Sequence, residues 1–142
     1  MRRLLVDTNV VLDVLLDRQP HREASAAIWA SIETGRSEGF LAAHAITTLH
    51  YLIQRELGAA RAKQLTALIL RVFRVAAVDS AVIEQALRLP LADFEDAVTA
   101  AAALTSGCEF VVTRDPKGFR GSPVRALAPE AALPILGENI HL

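Results

Sequence analysis

The stretch Leu4-Leu5-Val6-Asp7-Thr8-Asn9, near the start of the chain, decides the fold class. Three consecutive apolar residues followed at once by polar ones are typical of a buried parallel strand that ends in a loop. Helical character follows over residues 10–16 and stops at Gln19-Pro20. A buried strand followed by a helix is the repeating unit of α/β proteins, so this stretch predicts an α/β fold.

The alternation of short apolar segments with helical ones continues along the chain. Further strands are predicted at residues 39–42, 75–78, 110–113 and 124–127. Helices are predicted at residues 22–36, 46–57, 59–73, 80–89 and 93–106, and a terminal turn or helix at residues 129–136. The expected architecture is a central, mostly parallel β-sheet flanked by helices, within a single domain over residues 1–142.

Two acidic residues follow predicted strands. Asp7 comes directly after the first strand, and Asp115 follows Thr113 with one residue between them. Ligands of open α/β sheets bind beyond the carboxyl ends of the strands, so both carboxylates point into one crevice if these strands are neighbours. The structural alternatives are a helix cap for Asp7 and a turn residue before Pro116 for Asp115.

A third group of acids, Asp93-Phe94-Glu95-Asp96, heads an alanine-rich helix. Helix positions three apart share a face, so Asp93 and Asp96 are expected to project together, with Phe94 and Glu95 pointing elsewhere. The alternative interpretation is capping, because Asp93 is a good N-cap and acids in a first turn complement the helix dipole.

Carboxylates that converge on one crevice repel each other. Two unit charges ~4 Å apart cost about 4 kcal/mol at an effective dielectric near 20. Either some of the groups are protonated or a cation neutralises them. Oxygen ligands favour a hard cation such as Mg²⁺ or Mn²⁺, which can hold a phosphate and activate water. The predicted chemistry is metal-dependent hydrolysis of phosphodiesters.

Three segments resemble the PIN domain family. The opening residues 4–13 resemble the start of PIN domains, Asp96-Ala97-Val98-Thr99-Ala100-Ala101 resembles their central D-A-x-x-A-A helix, and residues 111–119 resemble their closing T-x-D…F segment. The resemblance covers nearly the whole chain in order and spacing. It implies a Mg²⁺- or Mn²⁺-dependent endoribonuclease, similar to the VapC toxins of bacterial toxin–antitoxin pairs, with an antitoxin partner and a homodimer as expectations.

The resemblance also implies roles for individual residues. Asp7, Asp96 and Asp115 correspond to the metal-binding acids, Asn9 to a residue that orients Asp7 or a water, and Thr113 to a hydrogen-bonding neighbour of the site.

The chain departs from the family in one place. PIN domains usually carry a glutamate in the helix after the second strand, whereas this chain has no acid between Glu38 and Glu56. His50 or Thr48 is expected in that position, with Asp93 as the replacement carboxylate. His50 has two further interpretations, as a phosphate or metal contact and as a partly buried residue bonded to the backbone.

The remaining polar candidates are basic residues and histidines. Arg114, Lys117 and Arg120 surround Asp115, where they are expected either to position an RNA backbone or to be ordinary surface charge. The remaining histidines are expected to be structural or surface residues; they are His21, His44 and His141.

Composition argues against several other classes of protein. Fifteen basic and sixteen acidic residues give a net charge of -1, which argues against a uniformly basic nucleic-acid binder. One cysteine excludes an internal disulfide framework and a multi-cysteine zinc site. The longest stretch without Asp, Glu, Lys or Arg, residues 39–54, is shorter than a membrane span and contains polar residues, so a cytoplasmic location is expected.

Two other functions have sequence arguments. A phosphatase of the haloacid dehalogenase type also begins with an Asp after its first strand, but it needs a second Asp where this chain has Asn9. A catalytically weak or inactive PIN-fold module that binds RNA or a protein partner is the main alternative, supported by the missing glutamate.

Overall fold

The computed structural model describes residues 1–137 and contains one five-stranded sheet. Every strand pair in it is parallel. The strands are short, and they run β1 (Arg2–Val6), β2 (Ser37–Ala42), β3 (Arg74–Ala76), β4 (Phe110–Val112) and β5 (Arg125–Leu127). The predicted α/β class is confirmed, and the sheet is wholly rather than mostly parallel.

The described residues contain seven α-helices, of which six connect strands and the seventh follows β5. They are α1 (Thr8–Leu15), α2 (Arg22–Glu33), α3 (Ala43–Leu57), α4 (Ala59–Val72), α5 (Ser80–Arg88), α6 (Phe94–Thr105) and α7 (Pro129–Gly137), and a 3₁₀ turn spans Pro116–Phe119. Most predicted elements occur within a few residues of their expected limits. His141 lies outside the described residues.

The strand order β3-β2-β1-β4-β5 places β1 at the centre of the sheet. From β1 the chain proceeds to β2 on one side, and only later to β4 on the other side. Strand order therefore reverses between β1 and β4, and such a reversal opens a crevice at the carboxyl ends of the two strands. Val6 pairs with Val112 at that edge, so the residues that follow β1 and β4 emerge side by side.

Hydrophobic packing covers both faces of the sheet. Leu4 and Val6 of β1 face one buried cluster with residues of α1 to α4 and α7, whereas Leu5 faces a second cluster with α5 and α6. Side chains alternate along a strand, and burial on both faces explains why Leu4-Leu5-Val6 is uniformly apolar. In α6, the alanines Ala100 to Ala103 are fully buried, so their small side chains let this helix pack closely on the sheet.

None of the helices in residues 1–137 combines the length and hydrophobicity that crossing a bilayer requires.

Candidate active site

Asp7 lies at the junction of β1 and α1. Its backbone N–H donates to the carbonyl of Val112 at 2.9 Å, which continues the β1–β4 pairing, and its Oδ1 accepts from the N–H of Thr8 at 2.8 Å as the N-cap of α1. The capping alternative is therefore correct for one carboxylate oxygen. Oδ2 faces away from this cap toward Thr113 and Asn9.

A small hydrogen-bond network fixes Oδ2 of Asp7. The buried Thr113 hydroxyl donates to it at 2.8 Å, and the Asn9 side-chain amide lies 3.5 Å from both this oxygen and the Thr113 hydroxyl. The Thr113 hydroxyl also accepts from the backbone N–H of Asp115 at 3.1 Å. Thr113 thus links the carboxylate of Asp7 to the backbone of Asp115.

Burial raises the pKa of the Asp7 carboxyl above its ordinary value. The hydrogen bonds from Thr113 and Thr8 act in the opposite direction, Asp115 adds a further increase, and His44 lowers the pKa slightly. A partly desolvated carboxylate near a second one gains strongly from a neutralising cation.

Asp96 lies in the first turn of α6, with its side chain partly exposed to the crevice. Burial has the largest effect on the pKa of Asp96, and together with four neighbouring carboxylates it raises this pKa to about 6; the carboxylates are those of Asp7, Asp93, Asp115 and Glu95. This concentration of negative charge is the main electrostatic feature of the crevice.

Asp115 follows β4 and is exposed. Gly118 shows how close Asp115 comes to Asp96. A Cβ atom placed on this glycine would lie 3.0 Å from Oδ2 of Asp96 and 3.0 Å from Oδ2 of Asp115. The two oxygens therefore lie within twice that distance of each other, and the absence of a side chain on Gly118 leaves the space beside them free.

These carboxylates line one cavity of about 210 Å³ at the carboxyl edge of the sheet. The side chains around it are mostly polar, and the apolar exceptions are Ala45 and Phe119. The polar lining residues are Asp7, Thr8, Asn9, His44, Thr48, Glu95, Asp96, Thr99 and Asp115.

Three sequence predictions about this cavity differ from the structure. Glu95 lines it, although it was expected to point elsewhere. Asp93 is not among the lining residues, because it stands before the helix as the N-cap of α6 and its Oδ1 accepts from the N–H of Asp96 at 3.0 Å. His50 is also not among them, since its Nδ1 lies 2.9 Å from the Thr66 hydroxyl on α4.

In α3, the polar residues that line the cavity are His44 and Thr48. They are one turn apart on the same helix face. His44, expected to be a structural or surface residue, lines the cavity. Of the two candidates for the glutamate position, Thr48 lines the cavity and His50 does not.

The basic residues around Asp115 divide into two groups. Lys117 and Arg120 are exposed. Arg114 instead turns inward, where its Nε lies 2.8 Å from Oδ2 of Asp13, a fully buried carboxylate on α1. Arg114 therefore differs from its two neighbours, because its Nε is paired with a buried carboxylate.

The donor set suits a hard divalent cation, since the carboxylates supply oxygen ligands only. In residues 1–137, however, no three His, Cys, Asp or Glu side chains stand together as a ready metal-binding group. Mg²⁺ usually takes one or two protein carboxylates and completes its shell with water and substrate phosphate. The crevice therefore fits an ion held by few protein ligands, with Asp7, Asp96 and Asp115 as the candidates, and the space beside Gly118 is consistent with that fit.

Comparison with known families agrees with this fold. The sequence model of the PIN domain matches residues 3–117. The chain belongs to the PIN domain family. A search of curated proteins gave no match.

Several solved structures share this fold. FitAcB from Neisseria gonorrhoeae is 23% identical with a TM-score of 0.68, covering 89% of this chain and 98% of that chain. VapBC2 from Rickettsia felis, bound to a promoter DNA fragment, is 11% identical with a TM-score of 0.70 over 89% of this chain and 98% of that chain.

VapC20 from Mycobacterium tuberculosis, described as a toxin that cleaves the sarcin-ricin loop, is 23% identical with a TM-score of 0.61, covering 76% of this chain and 86% of that chain. At these identities the likeness shows that the PIN fold is shared.

Proposed function

We propose that this PIN domain protein is a VapC-like endoribonuclease that depends on Mg²⁺ or Mn²⁺ and hydrolyses RNA phosphodiester bonds. The observation that carries the proposal is the convergence of Asp7, Asp96 and Asp115 on one polar cavity at the β1–β4 switch point. The pKa of Asp96 at about 6 supports it, because the carboxylates repel one another until a cation or protons neutralise them.

Each residue has a role in this proposal. Asp7, Asp96 and Asp115 hold the cation, which when bound supplies charge neutralisation and activation of water for attack on phosphorus. Thr113 and Asn9 orient the Asp7 carboxylate through their contacts with Oδ2. Asp93 caps α6 and so fixes the start of the helix that presents Asp96.

The proposed RNA contacts lie on the exposed side of Asp115. Lys117 and Arg120 would position the phosphate backbone next to the carboxylates. With a net charge of -1 for the whole chain, we expect affinity for RNA to come from this one site rather than from a general basic surface.

RNA cleavage with and without a metal ion tests the proposal. Single-stranded RNA should be cleaved by the wild type in Mg²⁺ or Mn²⁺, and Asp96→Asn should reduce the rate by about 100-fold or more, since it removes a charged ligand. Asp79→Asn is the matched control, because Asp79 caps α5 and asparagine is an equally good cap. Cleavage that persists in Asp96→Asn, or in excess EDTA, would refute the metal-acid mechanism.

One observation favours a second function, binding without cleavage. The cavity-facing residues of α3 are His44, Ala45 and Thr48, so this helix contributes no carboxylate. A wild type that retains RNA, yet cleaves nothing in either metal, would favour the inactive binding module.

The remaining proposals concern partners and location. Structural relatives are described as toxin–antitoxin complexes, which supports an antitoxin encoded beside this protein, testable by co-expression and co-purification.

We also propose a homodimer through α3 and α4, which expose the apolar side chains of Tyr51, Leu57 and Leu70. A monomeric mass by light scattering would contradict it. A free, buried Cys108 and an RNA substrate fit a cytoplasmic location.

A further inference from the structure

Helix α1 holds Arg114 at two points. The side-chain oxygen of Asn9 accepts from the backbone N–H of Arg114 at 3.2 Å, and Oδ2 of Asp13 lies 2.8 Å from its Nε. Asn9 and Asp13 are four residues apart and therefore share one face of α1. One helix face thus fixes both the backbone and the side chain of the same residue.

The contact at Asp13 is deeply buried. Asp13 and Ser25 are both 0% exposed, and the Ser25 hydroxyl on α2 donates to Oδ2 of Asp13 at 3.0 Å. Within the described residues Oδ1 of Asp13 has no hydrogen-bond partner, and the Arg114 Nε–H does not point along a hydrogen bond, so the contact is an ion pair. A buried carboxylate with so few partners depends on its cation, because an unpaired charge in this position is very costly.

Arg114 lies in sequence between Thr113 and Asp115, two residues whose positions shape the crevice. The Thr113 hydroxyl donates to the Asp7 carboxylate, and the backbone N–H of Asp115 donates to the Thr113 hydroxyl. The 3₁₀ turn that carries Gly118 begins one residue after Asp115. The place where Arg114 is anchored therefore sets where this whole segment lies relative to Asp7.

We infer that Asp13 and Ser25 hold Arg114 as a positioning residue, which keeps Thr113 and Asp115 in place beside Asp7. The inference rests on the proposed function, in which these carboxylates bind a cation. It also pairs the charge of Arg114 with the buried Asp13, whereas Lys117 and Arg120 remain available to RNA phosphates. Removing a group that orients ligands typically costs 10- to 100-fold in metal affinity or activity.

The experiment compares Asp13→Asn and Ser25→Ala with the wild type. The control is Glu109→Gln, which breaks an ion pair of the same 2.8 Å length with Arg2 at the amino end of the strands, away from the crevice. Four quantities are measured on folded protein, well below its melting temperature. They are the Mn²⁺ dissociation constant by calorimetry, kcat and KM for RNA cleavage, and backbone amide exchange by NMR.

Asp13→Asn should weaken Mn²⁺ binding and lower kcat by about 10-fold or more, with KM for RNA little changed. The amides of Arg114 and Asp115 should exchange faster, while the amide of Thr113, which is bonded to the Leu127 carbonyl, should keep its rate. Ser25→Ala removes one hydrogen bond only, so it should give smaller changes in the same direction, and it serves if Asp13→Asn does not fold. Glu109→Gln should alter none of these quantities.

Two results would overturn the inference. One is a folded Asp13→Asn or Ser25→Ala variant with wild-type amide exchange at Arg114 and Asp115 and wild-type Mn²⁺ affinity. The other is an effect confined to KM for RNA, which would mean that Arg114 contacts the substrate. A wild type that binds Mn²⁺ without cleaving RNA would instead refute the proposed function, and the exchange and affinity measurements would still decide the role of Arg114.

Discussion

The Thr113 hydroxyl donates to Oδ2 of Asp7 at 2.8 Å, across the carboxyl ends of β4 and β1. This bond lowers the pKa of Asp7 against the larger effect of burial, which raises it. The same hydroxyl accepts from the N–H of Asp115, so one oxygen atom serves two carboxylate residues on different strands. Removing the Thr113 hydroxyl should therefore change both the pKa of Asp7 and the position of Asp115.

Thr113→Val should keep the shape of this buried side chain and remove both hydrogen bonds. We expect the free energy of unfolding to fall by about 1–3 kcal/mol, because buried polar groups lose their partner. RNA cleavage should fall by about 10- to 100-fold. The acid limb of the pH–rate profile for RNA cleavage should move to higher pH, because the hydrogen bond that lowers the pKa of Asp7 is lost. Thr113→Ser retains the hydroxyl and should retain most of the activity; equal losses in both variants would refute the role of the hydrogen bond.

The pKa of Asp96 makes stability depend on pH. It is about 6 in the folded protein against 3.8 as the ordinary value, so between these values the folded state binds more protons than the unfolded state. In the metal-free protein, the contribution of Asp96 to stability should therefore be most favourable below about pH 4. It should become less favourable as the pH rises through about 6. Thermal melts between pH 4 and pH 7.5 measure the trend.

Asp96→Asn should weaken this dependence, and Asp79→Asn should leave it as in the wild type. Added Mn²⁺ should raise the melting temperature more at pH 7 than at pH 4, because protons compete with the cation for the same carboxylates. An Asp96→Asn variant with the pH dependence of the wild type would contradict the assignment.

The strand-end acids could be predicted from sequence because they depend only on local pattern and on a general rule of parallel sheets. Asp7 and Asp115 each follow an apolar strand, and the crevice forms where those strands are neighbours. The error at Asp93 and Glu95 has a local cause. The backbone of Asp93 is extended, with φ of -99° and ψ of 127°, so the rule that helix positions three apart share a face does not apply to it.

Other parts of the site depend on where elements begin or on distant contacts. Helix α3 starts at Ala43, three residues before its predicted start, and this earlier start places His44 in the first turn, at the crevice. The Asp13–Arg114 pair joins residues about a hundred positions apart, and a single sequence contains no signal for such a pairing. Asp13 among the apolar positions of α1 indicates a buried charge but not the residue that pairs with it.

His44 and His50 should behave differently when each is replaced by glutamine. His44→Gln removes an imidazole whose charge lowers the pKa of Asp7, so the acid limb of the pH–rate profile should move to higher pH. His50→Gln disturbs the contact with Thr66 that joins α3 to α4, so it should reduce stability by about 1 kcal/mol and leave the profile in place. The pH dependence of RNA cleavage and thermal melts distinguish the two. A shifted profile in His50→Gln alone would reverse the assignment.

Gly118→Ala offers the sharpest test of the carboxylate pair. Its Cβ would stand 3.0 Å from Oδ2 of both Asp96 and Asp115, closer than ordinary contacts, so at least one carboxylate must move. We expect Mn²⁺ affinity and cleavage to fall by about 10-fold or more, with little change in melting temperature, because the affected groups are at the rim of the crevice. Calorimetry and cleavage assays measure the two losses.

Gly137→Ala is the matched control, because a Cβ at Gly137 meets no atom of residues 1–137 within 4 Å. It should bind Mn²⁺ and cleave RNA as the wild type does. If Gly118→Ala is folded and binds Mn²⁺ with wild-type affinity, the space beside Asp96 and Asp115 is not where the cation binds. The carboxylate pair would then have to be explained by proton sharing, for which the raised pKa of Asp96 provides the physical basis.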